Sequence, residues 1–167
     1  DHYFYSAQRG ARQFGENSAI GWRWFLFNNT AVKRSAIKKT GLFDEKFTSY
    51  GGEDTDMAIR LWHNFPDALR FSSKINAEHH HKRSLNQFCK QMETFGQTNL
   101  PLLLDRYPEY HQELAGDWIT TWKGRFLFNA LVSNLLRLIN IILPNITVTR
   151  YLVIYSVICG ARVAFYR

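Results

Sequence analysis

The sequence is poor in cysteine and proline, with two cysteines and four prolines in 167 residues. Two cysteines, Cys89 and Cys159, exclude a small scaffold held together by several disulfides and fit free thiols in a reducing compartment. The chain does not begin with Met, and its first residues have neither the basic start nor the apolar core of a secretory leader. We therefore expect the sequence to be a piece of a longer protein or a processed chain.

Several signatures of catalysis and of nucleic-acid binding are also missing. The sequence has no CxxC pair, HExxH helix, GxSxG elbow or phosphate-binding glycine loop. Lys and Arg outnumber Asp and Glu by 21 to 14, but they form no dense patch, so we expect no nucleic-acid partner. The hydrophobic share of 46% and the aromatic share of 16% exclude a disordered chain and predict a packed core.

Acidic residues are absent from the C-terminal part of the sequence. All fourteen lie at or before Asp117, whereas residues 118–167, which we call the tail, contain six basic residues. The tail is therefore basic and strongly apolar at once, unlike the residues before it. We divide the chain into a domain over residues 1–117 and a basic, apolar, helical tail over residues 118–167.

The pattern of the tail predicts contact with a membrane surface. Polar side chains within residues 126–143 recur on one side of a helix, at Asn129, Ser133 and Arg137, which is typical of a helix that lies in a membrane interface. A second apolar run, over residues 151–161, is shorter than the ~20 residues that cross a bilayer. Anionic lipid attracts each basic side chain by ~1 kcal/mol, so we expect peripheral or monotopic attachment. Packing on the domain or in a dimer interface is one alternative, and a re-entrant or membrane-spanning element is another.

Residues 1–117 contain patterns of both strands and helices. Aromatic side chains alternate over residues 21–27 as in a short buried strand, and alternation returns later in the domain. Apolar stripes at helical spacing alternate with these segments. The predicted elements are strands at 21–27 and 69–81, a short helix at 34–40 closed by Gly41, a helix from Glu53 to Pro66, and a helix from Ser84 that Gly96 and Pro101 interrupt.

Three carboxylates follow a pair of glycines in the sequence Gly51-Gly52-Glu53-Asp54-Thr55-Asp56. Glycines allow a loop to approach a ligand closely, and the dipole of a helix N-terminus favours an ionised carboxylate that can accept a proton. First-turn acids that only stabilise the helix fit the same spacing about equally well.

Histidines and tryptophans form two further candidate groups. In a strand, His79 and His81 would share one face, where imidazoles bind divalent cations, although a solvated strand end fits slightly better. Trp22 and Trp24 could stack on sugar rings, but tryptophan in a strand is more often part of the core, and we expect this for at least one of the two.

Three motifs carry a family resemblance. Residues 27–34 (FNNTAVKR), 41–47 (GLFDEKF) and 51–61 (GGEDTDMAIRL) follow one another in the chain. They resemble, in this order, the "GN-x-[ST]-x-[KR]R", "GxFDExF" and "GxED-x-[DE]-x-x-x-RL" segments in the C-terminal half of the catalytic domain of family-2-like, GT-A-fold glycosyltransferases. The resemblance covers roughly residues 22–85. It implies an α/β fold, the acceptor-side half of a partial GT-A domain, followed here by the C-terminal amphipathic and apolar helices.

The resemblance also implies roles for individual residues. Asp54 matches the catalytic base that deprotonates the acceptor hydroxyl, and Glu53 would orient the acceptor. His79, with His81 second, would coordinate a divalent Mn or Mg ion. Acceptor-binding residues are expected around the base, at Trp22, Trp24, Asn29, Gly51, Gly52 and Asp56.

The implied activity is transfer of a sugar from a nucleotide-sugar donor to a saccharide or lipid-linked acceptor, at the cytoplasmic face of the membrane, in polysaccharide or glycoconjugate assembly. The family's nucleotide-binding half with its D-x-D metal motif is absent from this sequence, because Asp54-Thr55-Asp56 belongs to the acceptor-side motif. We therefore expect a glycosyltransferase fragment. Two other functions stay open: a non-catalytic, membrane-associated module that binds glycan or a partner chain, and, with less support, a histidine-metal hydrolase.

Overall fold

The structure is a computed structural model that describes residues 13–25, 27–75, 77 and 83–166. The chain divides into two compact units. The C-terminal unit contains residues 47–50 and 83–166, and the N-terminal unit contains the other described residues. The boundary expected between residues 117 and 118 falls inside the C-terminal unit; it rests on charge and hydropathy and stays a prediction.

Two helices organise the N-terminal unit, α1 (Arg34–Thr40) and α2 (Glu53–Asn64). Glycines with positive φ lie at their ends: Gly41 (φ 92°) closes α1, and Gly52 (φ 100°) precedes α2. A side chain at either position would strain the backbone, so glycine defines both ends. The helices expected at 34–40 and from Glu53 are confirmed.

The core of the N-terminal unit forms around the apolar stripe of α2. Met57 and Leu61 are buried there with Ile20 and Leu69. Partly buried aromatic side chains surround this group, namely Phe14, Phe25, Phe27, Trp62, Phe65 and Phe71. The helical spacing that predicts α2 therefore also identifies the face that it buries.

The strand expected at residues 21–27 is wrong. Trp22–Trp24 and Phe27–Asn29 each form a 3-10 turn. The amide of Trp24 donates to the carbonyl of Gly21 at 3.0 Å, so backbone groups that a strand would offer to a neighbour are satisfied locally. The two tryptophans consequently do not share a face: Trp22 is buried, and Trp24 is exposed.

The expected α/β fold, a partial GT-A domain, is also wrong. Among the described residues the structure has helices and turns but no strand, and extended pairing is limited to an antiparallel bridge between Ala19 and Arg70. Backbone hydrogen bonds join residues 17–20 to residues 69–71 around this bridge at 2.8–3.0 Å. The strand expected at 69–81 is thus reduced to this short pairing, and its residues 76 and 78–81 lie outside the described part. Without further partners, so short a pairing does not extend into a sheet.

The C-terminal unit is built on two long helices, α3 (Leu85–Arg106) and α7 (Ile146–Phe165). Near the start of α3, Cys89 packs with Leu152 and Val153, and near its end Leu100 packs with Ala161. The two helices therefore run parallel to each other. Both apolar stripes are buried along this contact, which forms most of the core of the unit.

Helix α3 continues through the two residues that were expected to interrupt it, Gly96 and Pro101. A Cβ atom at Gly96 would overlap the carbonyl of Val157, and one at Gly160 would overlap the carbonyl of Glu93. The glycines therefore allow the two backbones to touch, and this packing offsets the low helix propensity of glycine. Burial of Leu100, Leu103 and Leu104 beside Pro101 stabilises the helix where proline removes a hydrogen bond.

Between these helices the chain forms α4 (Gly116–Thr120), α5 (Trp122–Leu127) and α6 (Ala130–Ile142). Arg162 of α7 holds α4 and the end of α5 in place. Its guanidinium donates hydrogen bonds to the backbone carbonyls of Trp118, Ile119 and Phe128 at 2.6–3.2 Å. Pro144 lies between α6 and α7.

Helix α7 is longer than the apolar run expected at residues 151–161. By length and composition, this helix of twenty residues is long and apolar enough to cross a membrane. The core helix of a protein that crosses no membrane can have the same length and composition. In this unit α7 packs along α3 and buries Leu152, Val153, Ile158 and Ala161, whereas Ile154, Val163 and Phe165 are exposed.

Candidate functional site

The candidate site begins at the loop before α2. Gly51 and Gly52 have φ values of 78° and 100°, which allow the chain to turn sharply into the helix. The carbonyl of Gly52 accepts the first hydrogen bond of α2, from the amide of Asp56 at 2.9 Å. Glu53, Asp54 and Asp56 therefore all lie in the first helical turn, where the helix dipole attracts negative charge.

Asp54 is half-buried at this turn. Burial raises the pKa of its carboxyl group, and a hydrogen bond from the backbone amide of Phe27 opposes this effect in part. A carboxylate with a raised pKa is a stronger base than an exposed one, provided that it is ionised at the working pH. The site therefore holds a carboxylate suited to accept a proton.

Glu53 presents an unsatisfied acceptor beside this base. Its Oε2 atom is buried and has no hydrogen-bond partner among the described residues. A buried carboxylate oxygen without a partner costs free energy, and a donor that binds nearby recovers it. A hydroxyl group of a bound molecule is one such donor.

Asp56 has a different environment. Its side chain is fully buried, and its Oδ2 atom lies 2.8 Å from Nε of Arg60. Arg60 also donates to the carbonyls of Thr40 and Leu42, both at 2.9 Å. The spacing of four residues predicts an ion pair on the outer side of the helix, and the structure confirms the pair but buries Asp56. Because Asp56 has no exposed surface, the structure does not support its expected contact with an acceptor, and supports a role in holding α2 against the end of α1.

The expected acceptor-binding residues near the 3-10 turns divide between core and surface. Trp22 is buried, which matches the expectation that at least one tryptophan belongs to the core. Trp24 is 38% exposed, and its ring meets Phe14 edge-on at 5.8 Å between centroids. Asn29 is exposed, and its side-chain amide donates to the carbonyl of Ile75 at 3.3 Å. Trp24 and Asn29 thus have surface available for a ligand, whereas Trp22 supports the fold.

The expected metal ligands, His79 and His81, lie outside the described residues. Within residues 13–25, 27–75, 77 and 83–166, no three His, Cys, Asp or Glu side chains are grouped so that they could hold a metal ion. The described residues alone therefore do not supply a site for Mn or Mg, and metal binding stays a prediction.

Two contributors to the site were not predicted from the sequence. The Phe27 amide contacts Asp54 across a long stretch of chain, and Arg60 reaches two carbonyls at the end of α1. Arg60 has two sequence signals, its position four residues after Asp56 and its place in the motif over residues 51–61; the first predicts the ion pair, and neither predicts the carbonyl contacts.

Comparisons with known proteins show that this segment is similar to glycosyltransferases. Residues 21–84, which contain the site, match a family model described as the N-terminal domain of galactosyltransferase. An uncharacterized glycosyltransferase, YfnE, of Bacillus subtilis (strain 168) is 36% identical over 86 residues, which cover 52% of this chain and 21% of that protein. Validoxylamine A glucosyltransferase of Streptomyces hygroscopicus subsp. jinggangensis (strain 5008) is 31% identical over 109 residues, which cover 63% of this chain and 24% of that protein. No solved structure gives a significant match.

The matched segments span only about a quarter or less of the length of these relatives. The family model likewise covers residues 21–84, which include most of the N-terminal unit, and does not reach the tail. Within those bounds the similarities are consistent with one another, because the family model and the relatives all bear glycosyltransferase names. The chain therefore carries a glycosyltransferase-like segment, and that segment contains Asp54.

Proposed function

We propose that the protein is a nucleotide-sugar-dependent glycosyltransferase in which Asp54 is the general base. The observation that carries this proposal is the environment of Asp54: a half-buried carboxylate of raised pKa in the first turn of α2, behind two glycines. Similarity of residues 21–84 to glycosyltransferases supports the same reaction class.

The proposed reaction is a direct displacement at the anomeric carbon of the donor. The acceptor hydroxyl oxygen forms a bond to that carbon while the bond to the diphosphate oxygen breaks, and the proton of the hydroxyl moves to Asp54. The nucleoside diphosphate leaves with the electron pair of the broken bond. A single base placed for direct attack inverts the anomeric configuration, and a base of raised pKa lowers the barrier to proton removal.

Neighbouring residues would bind and orient the acceptor. Gly51 and Gly52 have no side chains, so a sugar ring can approach the backbone closely. Glu53 would accept a hydrogen bond from a second hydroxyl through its unpartnered Oε2 atom. The exposed ring of Trp24 offers an apolar surface of the kind that stacks on sugar rings.

The names of a similar glucosyltransferase and of the matching galactosyltransferase family model support a choice of substrates. We infer a nucleoside-diphosphate hexose as donor and a saccharide or lipid-linked molecule as acceptor. His79 and His81 remain the proposed ligands for Mn or Mg, which would neutralise the charge of the leaving diphosphate. The proposed site of action is the cytoplasmic face of the membrane.

The test is release of nucleoside diphosphate from nucleoside-diphosphate glucose or galactose by the complete enzyme, which includes a donor-binding half, in the presence of saccharide acceptors. Asp54→Asn should lower kcat by ~10²-fold or more while donor binding stays nearly unchanged, because only the proton acceptor is lost. Asp67→Asn is the matched control, since Asp67 is exposed in the turn after α2 and should be silent.

Turnover by Asp54→Asn within threefold of the unmodified protein would contradict the assignment of the base. Absence of release from the unmodified complete enzyme with either donor would contradict the proposed glycosyltransferase activity. In that case, retained binding to a glycan panel would favour the alternative, a non-catalytic glycan-binding module.

A further inference from the structure

An ordinary surface helix turns its apolar side towards the protein and its polar side towards water. Helix α6 has the reverse arrangement. Ser133, Arg137 and Asn140 lie on the side that faces the C-terminal unit, where Leu136 joins the core around Cys89. Ser133 is 1% exposed, and its hydroxyl has no hydrogen-bond partner among the described residues. Much of the polar side of the helix is therefore turned inward.

The opposite side of α6 is apolar and exposed. Leu131, Leu135, Leu138 and Ile142 recur at helical spacing and are 57–80% exposed; we call these four residues the outer stripe. In water, a helix gains free energy by burying its apolar side, at about 25 cal/mol per Å². The polar side of α6 faces inward and its apolar side faces outward. This arrangement indicates that the outer stripe contacts an environment less polar than water.

The segment before α6 adds large aromatic side chains to the exposed surface. Trp122 and Phe126 are each 72% exposed, and Trp118 is 40% exposed. Tryptophan is enriched where proteins meet the boundary between lipid and water, because its ring is apolar and its N–H is polar. The exposed basic residues Lys123, Arg125 and Arg150 lie in the same part of the chain, and residues 118–166 include no acid.

We propose that the outer stripe of α6 inserts into the interface of an anionic lipid bilayer, with the basic residues on the lipid headgroups. The thirteen residues of α6 make a helix of ~20 Å, too short to cross the ~30 Å hydrocarbon core, so the helix lies parallel to the membrane plane. This inference concerns a surface distant in sequence from Asp54 and does not depend on the reaction proposed above.

Charge favours lipid over a second copy of the chain as the occupant. Two tails brought together would face each other with basic residues and no acidic residue to pair with them. An anionic bilayer supplies both the opposite charge and the apolar surroundings. Apolar contact with lipid resists salt, whereas attraction between exposed charges is screened by it, so the two contributions can be separated.

The experiment is co-sedimentation of the protein with vesicles of phosphatidylcholine alone or mixed equally with phosphatidylglycerol, at low and high salt. The variant Leu131→Ser/Leu135→Ser should weaken binding by at least about tenfold at both salt concentrations, because two inserted side chains lose their transfer free energy. Its matched control is Leu42→Ser/Ile75→Ser, which changes two equally exposed apolar residues of the N-terminal unit and should bind like the unmodified protein.

A second pair of variants isolates the charges. Replacing Lys123, Arg125 and Arg150 by Gln should weaken binding to the mixed vesicles at low salt and leave the salt-resistant part unchanged. Arg137 and Arg162 are left intact because they hydrogen-bond within the C-terminal unit. The control removes the same charge from exposed lysines elsewhere: Lys38, Lys46 and Lys74.

Three results would overturn the proposal. The unmodified protein could stay in the supernatant with both kinds of vesicle at low salt. The Leu131→Ser/Leu135→Ser variant, with an unchanged circular dichroism spectrum, could bind as strongly as the unmodified protein. Sedimentation velocity could show a dimer that the same variant dissociates, without any binding to vesicles, and the outer stripe would then be an interface between copies.

Discussion

The guanidinium of Arg60 lies 2.8 Å from the carboxylate of Asp56, and this pairing neutralises a side chain that is completely buried. The same guanidinium donates hydrogen bonds to two backbone carbonyls at the end of α1, those of Thr40 and Leu42. One arginine therefore fixes the first turn of α2, where Asp54 is also located, against the preceding helix. The position of the proposed base depends on a residue that is not in contact with it.

Arg60→Ala should destabilise the protein by about 3 kcal/mol, because it leaves the Asp56 carboxylate buried without its cation. The midpoint of urea unfolding measures this change. Arg60→Lys keeps the charge but not the planar set of donors, so its loss should be intermediate. An unchanged midpoint for Arg60→Ala would show that the ion pair contributes nothing to stability.

Asp54→Asn should stabilise the protein near neutral pH. Folding raises the pKa of this carboxyl group above its ordinary value of 3.8. As the pH rises, the unfolded chain therefore loses the proton before the folded protein does. The unmodified protein loses stability as the pH rises from 3.8 through the folded pKa. Asparagine keeps the acceptor for the Phe27 amide without a charge. Thermal unfolding should show a higher Tm for the variant at pH 7 and almost no difference at pH 3. A variant less stable at pH 7 than at pH 3, relative to the unmodified protein, would contradict the direction of the shift.

Glu16→Gln should have the opposite pH dependence. The Glu16 carboxylate accepts hydrogen bonds from the amide and hydroxyl of Ser73 at 2.6 and 2.7 Å and from the hydroxyl of Ser72 at 3.0 Å. These bonds lower its pKa below 4.5, so its contribution is complete above that value and is lost as the pH falls through the folded pKa. The variant should have a lower Tm at pH 7, and the difference should shrink in acid. A difference that stays constant with pH would mean that ionisation is not involved.

Gly160→Ala should destabilise the C-terminal unit by about 1–3 kcal/mol, although alanine is the better helix former. The added Cβ would overlap the Glu93 carbonyl, so α3 and α7 would have to separate. Gly21→Ala is the control, because a Cβ there meets no atom within 4 Å. Urea unfolding followed by circular dichroism measures both variants. Equal midpoints for Gly160→Ala and the control would contradict close backbone contact between the helices.

Helices α1 and α2 could be predicted because their signals are local. The stripe of Met57 and Leu61 and the glycines at the helix ends are all contained in the segments that they define. The same is true of Asp54, whose place in the first turn of α2 follows from the loop before it. Its contact with the Phe27 amide could not be predicted, because it depends on how two distant segments fold together.

The wrong predictions share a physical cause. A strand is stable only beside another strand, and residues 21–27 satisfy their backbone in 3-10 turns instead. Gly96 was expected to interrupt α3, but its missing side chain admits the backbone of α7, which lies far away in sequence. In both cases the structure depends on whether a distant segment packs or pairs with the residue. The spacing of nearby residues does not reveal this.

The pairing of α3 with α7 has a consequence for biosynthesis. A ribosome completes α3 at Arg106 but must continue to Phe165 before the helix that covers its apolar stripe exists. During that interval the side chains of Cys89, Leu100 and Leu104 have no partner from α7 to cover them. Nascent chains with such surfaces are the usual clients of chaperones. We therefore expect the yield of this protein in a cell-free translation system to depend more on added chaperones than on its final stability.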